Sequence, residues 1–133
     1  MAAEGLITLK SNRAAKETMD RLVAELQAKG LTIFARIDHA AGAKDAGLPL
    51  RPTELVIFGN AKGGTPLMQA NQAVGIDLPL KALVWQDASG ETWLSYNDPA
   101  WIARRQGLGN EVDASVKAMS AMLGAVTKAA TEA

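Results

Sequence analysis

Apolar positions recur along this chain in two rhythms, one of period two and one of three to four residues, and each predicts its own element. Leu6-Ile-Thr-Leu9 predicts a short first strand, with Ser11 or Asn12 placed to cap the helix that follows. In that helix Ala15, Met19, Leu22, Val23 and Leu26 share a face, and Gly30 stands where a C-terminal stop belongs. Leu31 to Ile37 predicts a second strand. Strict alternation puts Ile33, Ala35, Ile37 and His39 on one face and Phe34, Arg36 and Asp38 on the other. Residues 40–53 carry Gly42, Gly47, Pro49 and Pro52 and predict a long loop.

The continuous apolar run from Leu55 to Phe58 predicts a third strand, covered on both faces. It breaks into the glycine loop 59–65. Thr65 is a good N-cap and Pro66 suits a first helical position, so a short helix is expected from Pro66 to about Gln72. Ala82 to Gln86 and Thr92 to Tyr96 flank Asp87-Ala-Ser-Gly90, which predicts a hairpin. With Gly90 left-handed, Trp85 stands opposite Trp93 on the face of Leu83, and Val84, Leu94 and Tyr96 take the other face. Asp98 and Pro99 open a helix carrying Trp101 and Ile102, which Gly107 ends. Asn110 opens the last helix, about 111–131, where Val112, Val116, Met119, Leu123 and Val126 form one stripe.

Strands clustered in the middle of the chain argue for an α+β fold: a mainly antiparallel sheet with helices on one face. The opposite face keeps apolar residues, among them Phe34 and a tryptophan set. The expected cover is a second copy in a two-fold homodimer.

Length and charge narrow the picture. The 133 residues fit one domain, 1–133, and no repeat or linker divides them. Fourteen Lys plus Arg against fourteen Asp plus Glu give a formal net charge of zero, without the footprint of nucleic-acid or anionic-membrane binding. No segment is long and apolar enough to span a bilayer. The start, Met-Ala-Ala-Glu-Gly, lacks a basic then apolar leader and points to the cytoplasm; a signal peptide already removed would place the chain in the periplasm. With no cysteine and one histidine, neither a thiolate nor a multi-histidine metal site is available, and no cofactor is expected.

Several motifs occur in a familiar order: Phe34-Ala-Arg-Ile-Asp-His39, Leu50-Arg-Pro-Thr-Glu-Leu-Val-Ile-Phe-Gly-Asn60, Gly64-Thr-Pro-Leu-Met68, Gly75-Ile-Asp-Leu-Pro-Leu80 and Tyr96-Asn-Asp-Pro99. Over about Glu17 to Gly107 the chain resembles the domain-of-unknown-function 302 family. The resemblance implies a TATA-box-binding-protein-like fold of β-α-β(4)-α order and a dimer, and it implies no activity. Ala61 and Gln72 depart from the family pattern, which usually has proline at both places.

Two groups of residues carry candidate chemistry. The glycine loop brings backbone N–H groups of Gly63 and Gly64, a helix start at Thr65, and Asn60 and Lys62 to one place, with Tyr96 at its rim. That set suits a small polar or anionic ligand. It is not a nucleotide-hydrolysing loop, because Thr65 and Pro66 occupy the Lys-Ser/Thr places. His39, the one imidazole, can serve as a ligand contact or as the general base of a weak enzyme. In an antiparallel run of strands two to five, it falls at the opposite end of the sheet from the glycine loop. Binding of a small ligand is the leading expectation, set against weak enzymatic activity and a purely structural interaction module.

Overall fold

A computed structural model describes residues 3–133. In chain order the elements are β1 (Leu6–Ser11), α1 (Ala15–Ala28), β2 (Thr32–Asp38), α2 (His39–Asp45), β3 (Thr53–Gly59), α3 (Ala61–Ala70), β4 (Leu80–Gln86), β5 (Thr92–Asn97), α4 (Pro99–Arg105) and α5 (Asp113–Thr131). Short 3-10 turns at Gln72–Asp77 and Asn110–Val112 lead into β4 and α5. The strands form one antiparallel sheet of order β1-β5-β4-β3-β2. The fold is α+β, as expected, and strands two to five run consecutively.

Alternation sorts each strand between the two faces. Val56, Phe58, Leu80, Ala82, Val84 and Leu94 are buried beneath the helices, against Met19, Leu22 and Leu26 of α1 and Leu123 and Val126 of α5. The stripe of the last helix is therefore a packing stripe, with Val112 in the 3-10 turn just ahead of α5. On the opposite face Leu55, Ile57, Leu83, Trp85 and Trp93 are only half-buried although their strands lie inside the sheet. The expectation that β3 is covered on both faces is thus met on one face only within a single chain.

The hairpin register is the expected one: Trp85 pairs with Trp93 and Leu83 with Ser95. Gly90 takes φ 83, and its N–H donates to the Asp87 carbonyl. The indoles stack at 6.2 Å between centroids. Asp87 accepts from Trp93 Nε1 (2.8 Å) and from the N–H groups of Ser89 and Glu91, and the Trp93 bond foremost holds its carboxyl below the ordinary carboxylate range.

Gly30, Gly47 and Gly107 close α1, α2 and α4 with left-handed φ of 78, 78 and 67. In each case the glycine N–H and the next residue's N–H donate back to the last turn, for example Gly47 N to Lys44 O and Leu48 N to Ala43 O.

Four local expectations are corrected. Residues 40–53 are not all loop, because Asp38 caps α2 by accepting from the Ala41 N–H at 2.9 Å, and Gly47 supplies the stop. Alternation in β2 is broken by a bulge between Ile33 and Ala35. Ile33 therefore faces the helices beside Phe58, while Ala35 and Ile37 face the open side, and Phe34 is left 57% exposed. Neither Ser11 nor Asn12 caps α1; its N-cap is Ala14, and Ser11 Oγ instead bonds Thr18 Oγ1 at 2.6 Å. Finally, α3 starts at Ala61 rather than Pro66, because Asn60 takes the capping role.

Candidate functional site

Asn60 decides the geometry of the glycine segment. Its Oδ1 accepts the Gly63 N–H at 2.6 Å, and its carbonyl accepts the Gly64 N–H at 3.2 Å. The donors expected for an anion are consumed inside the chain. Gly63, Gly64 and Thr65 belong to the first turns of α3, and Pro66 lies inside that helix, where it leaves the Lys62 carbonyl without its helical donor. Thr65 is not a cap, because Asn60, five residues earlier and the stronger capping residue type, fills that role.

The helix borders a pocket of about 320 Å³. One wall is Asn60, Ala61, Gly63, Gly64, Thr65 and Met68 of the α3 segment. Met119 and Met122 of α5 face it, and Leu31, Gly59, Leu78, Pro79 and Leu80 complete it. Phe34 also lines the pocket, where the β2 bulge has turned it outward. The lining carries no charged side chain. It is a methionine-rich apolar site.

Four of its residues are glycines: Gly59, Gly63, Gly64 and Gly75. None has a positive φ, so backbone conformation does not require glycine at any of them. A Cβ on Gly64 would meet the tips of Leu78 and Met68 at 3.6 and 3.7 Å, and one on Gly75 would meet Met68 Sδ at 3.4 Å. At Gly63 it would stand 3.1 Å from Asn60 Oδ1 and 3.6 Å from Met119 Cε. Gly63, Gly64 and Gly75 thus keep space open beside methionine tips, and a Cβ on Gly59 would meet Pro79 Cβ at 3.7 Å and Phe34 Cε2 at 3.8 Å.

The remaining candidates lie elsewhere. Lys62 is exposed and does not line the pocket. Tyr96 is 7% exposed on the helix-covered face, where burial raises its phenol above the ordinary value, so it forms no rim. His39 opens α2 at the far end of the sheet, exposed, as the antiparallel order required. His39 and the glycine segment share no pocket. Among the described residues no group of three or more His, Cys, Asp or Glu side chains is placed to hold a metal ion. Sequence reasoning missed Phe34, Met68, Met119 and Met122 as pocket residues. The bulge that exposes Phe34 has no sequence mark, and methionines at helical spacing read as core.

At the opposite end of the helix-covered face Arg36 forks onto Glu54 (3.0 and 3.1 Å) and reaches Asp20 at 3.1 Å. Asp20 also accepts from Lys16 at 3.0 Å. The Lys16 bond first and Arg36 second hold the Asp20 carboxyl below its ordinary range, and Glu54 holds the guanidinium above its own.

A family model and a solved structure agree on the fold. The family model described as "Domain of unknown function DUF302" matches residues 7–126. The crystal structure of an uncharacterized conserved protein DUF302 from Bacillus stearothermophilus superposes with a TM-score of 0.84 at 19% identity. That match covers 96% of this chain and 99% of the other. Among curated proteins, fluoride-specific ion channel FluC 1 of Brucella suis is 51% identical over 124 residues, 93% of this chain and 49% of that protein. FluC 2 of Brucella melitensis matches at 51% over 93% of this chain and 46% of its own length. The chain spans about half the length of the curated relatives it matches. Among its described residues no helix is long and apolar enough to cross a membrane.

Proposed function

The chain belongs to the DUF302 family, and from that premise we propose that it is a homodimeric binding module whose pocket beside α3 takes a small apolar molecule. The observation that carries this reading is the set of four glycines, none left-handed, that line one methionine-walled cavity. Packed interiors do not leave such space without a cost in lost dispersion contacts. Methionine adapts to irregular guests and makes favourable contacts with aromatic rings, and Phe34 adds an aromatic face. The guest this lining fits is one or two rings in size, at the small end of ligand cavities. Asn60, Gly63, Gly64 and Thr65 stay in the site; Lys62, Tyr96 and His39 do not contribute to it.

Support for the dimer comes from the open sheet face. Leu55, Ile57, Leu83, Trp85 and Trp93, with Ile37 at 39% exposure, make a continuous apolar surface on adjacent strands. A second copy of the same face covers it by two-fold symmetry.

Naphthalene is a suitable probe for the pocket. Its addition should shift the methyl resonances of Met68, Met119 and Met122, and Gly64→Val, which fills the space, should abolish the shifts. Unmoved methyl resonances, or equal shifts in the variant, would count against the reading.

A second reading rests on the Brucella relatives, whose similarity to this chain is confined to about half of their length. Here the DUF302 unit works beside a membrane channel, and the conduction named for those relatives belongs to the part this chain does not match. Fluoride efflux from vesicles carrying the B. suis relative should then change when the matched half is deleted. Unchanged efflux would remove this reading and leave the pocket untouched.

A further inference from the structure

A second, larger cavity of about 970 Å³ lies at the far end of the helix-covered face, between the start of α1, α2 and the segment leading into β3. From its lining we infer that it binds an anionic amphiphile: an unbranched alkyl chain ending in a carboxylate. Its apolar share includes Val84 on the floor and Leu48, Pro49 and Leu50 along the side, and Leu48 and Leu50 remain 63% and 50% exposed. Aliphatic side chains held in the open beside a cavity are groups that an alkyl guest would remove from water.

Charge selects the head group. The lining holds Lys16, Arg36, Lys44 and Arg51 against Asp38 and Glu54, a formal excess of two positive charges (four minus two) in a chain whose net charge is zero. Both acids are already engaged, Asp38 by the Ala41 N–H and Glu54 by the Arg36 fork. Arg36 and Lys16 are tied in turn to Asp20. Among the described residues Lys44 and Arg51 make no ion pair; Arg51 gives only its Nε–H, to the Gln86 carbonyl at 3.2 Å. Those two cations are the ones available to a carboxylate.

The same geometry disfavours an acidic peptide. Thr53 and Glu54 are paired to Trp85 and Val84 on one side, and Glu54 to Asp38 on the other. The outer edge of β2 is unpaired, but of that strand only Arg36 and Asp38 line the cavity, too short a stretch for an extended peptide to pair along, whereas an alkyl chain has no backbone groups to satisfy.

The test is calorimetric titration with laurate, decanoate and octanoate below their micelle concentrations, with 1-dodecanol as the uncharged control. Laurate should bind, with affinity rising roughly fourfold per added methylene. It should weaken about tenfold or more in Lys44→Glu/Arg51→Glu, and in Lys44→Glu alone should weaken measurably, since the Lys44 side chain is exposed and makes no ion pair among the described residues. Gly64→Val, which blocks the methionine pocket, should leave laurate binding unchanged, so this site and the one proposed above stand or fall separately. Equal affinity for dodecanol, insensitivity to the two charge reversals, or stronger binding of a glutamate-rich peptide than of laurate would overturn the inference.

Discussion

Glycine at position 64 sits in the second turn of a helix, where it costs stability relative to alanine and gains nothing from its backbone freedom. The added methyl of Gly64→Ala would find ordinary contacts at 3.6 and 3.7 Å. That variant should be more stable, by roughly 0.5–1 kcal/mol, and should bind naphthalene more weakly; a chemical denaturation curve and a naphthalene titration check both halves. A destabilised variant would mean that the pocket is closed rather than open in solution. Residue identity made this place visible in the sequence, since a cluster of glycines after an apolar strand marks it. Its chemistry was not visible. Whether Gly63 and Gly64 offer their N–H groups depends on a competition between Asn60 and Thr65 for the capping role, in which asparagine is the stronger residue type. Asn60 wins because it lies directly after β3, which removes the donors and leaves an apolar wall.

Elements follow the sequence closely where glycine and period agree, and less well where a cap or a bulge intervenes. The stops of α1 and α4 and the tryptophan register of the hairpin were legible, because Gly30, Gly107 and Gly90 each supply a left-handed φ. Helix α2 was hidden by its length and by a stretch rich in glycine and proline, and the β2 bulge by perfect alternation on either side of Phe34. Both positions that depart from the family pattern have a local explanation. Ala61 is the first residue of α3 and Gln72 the first of the 3-10 turn, each preceded by an extended asparagine with φ −150 and −158. Proline fits such first positions, and the extended residue before it is already suitable. Ala61→Pro should therefore raise stability by about 0.4–1 kcal/mol, mostly by restricting the unfolded chain, with the increase read from thermal or urea unfolding. A loss of stability would show that the Ala61 N–H is needed after all.

At the scale of the whole molecule the sheet is finished on one side only. A single chain buries Val56, Phe58 and Leu94 completely while Leu55, Ile57 and the tryptophan pair stay half-exposed on the reverse. A two-fold partner resolves that asymmetry, and its presence is a matter of mass. The 14.0 kDa chain should sediment at twice its weight, and Leu55→Lys, which places a charge between Ile37 and Leu83 on the apolar face, should shift it towards the single chain without unfolding it. A wild type that sediments as one chain would leave the open face unexplained by self-association. An antiparallel run of strands two to five and helices on one face were legible from spacing; the place of β1 beside β5 and helix α2 were not. The cavities were not, because their walls come from segments far apart in the chain: Leu31, Gly64 and Met119 for one, Lys16, Arg51 and Val84 for the other. The claim on which the functional account turns is that the four glycines hold an apolar cavity open. Diffraction from crystals under xenon pressure tests it most directly, since apolar cavities of this kind take up the gas. The account predicts a xenon peak among Met68, Met119 and Met122 that is lost in Gly64→Val. A pocket collapsed onto its own methionines, or filled by hydrogen-bonded water with no xenon, would contradict it.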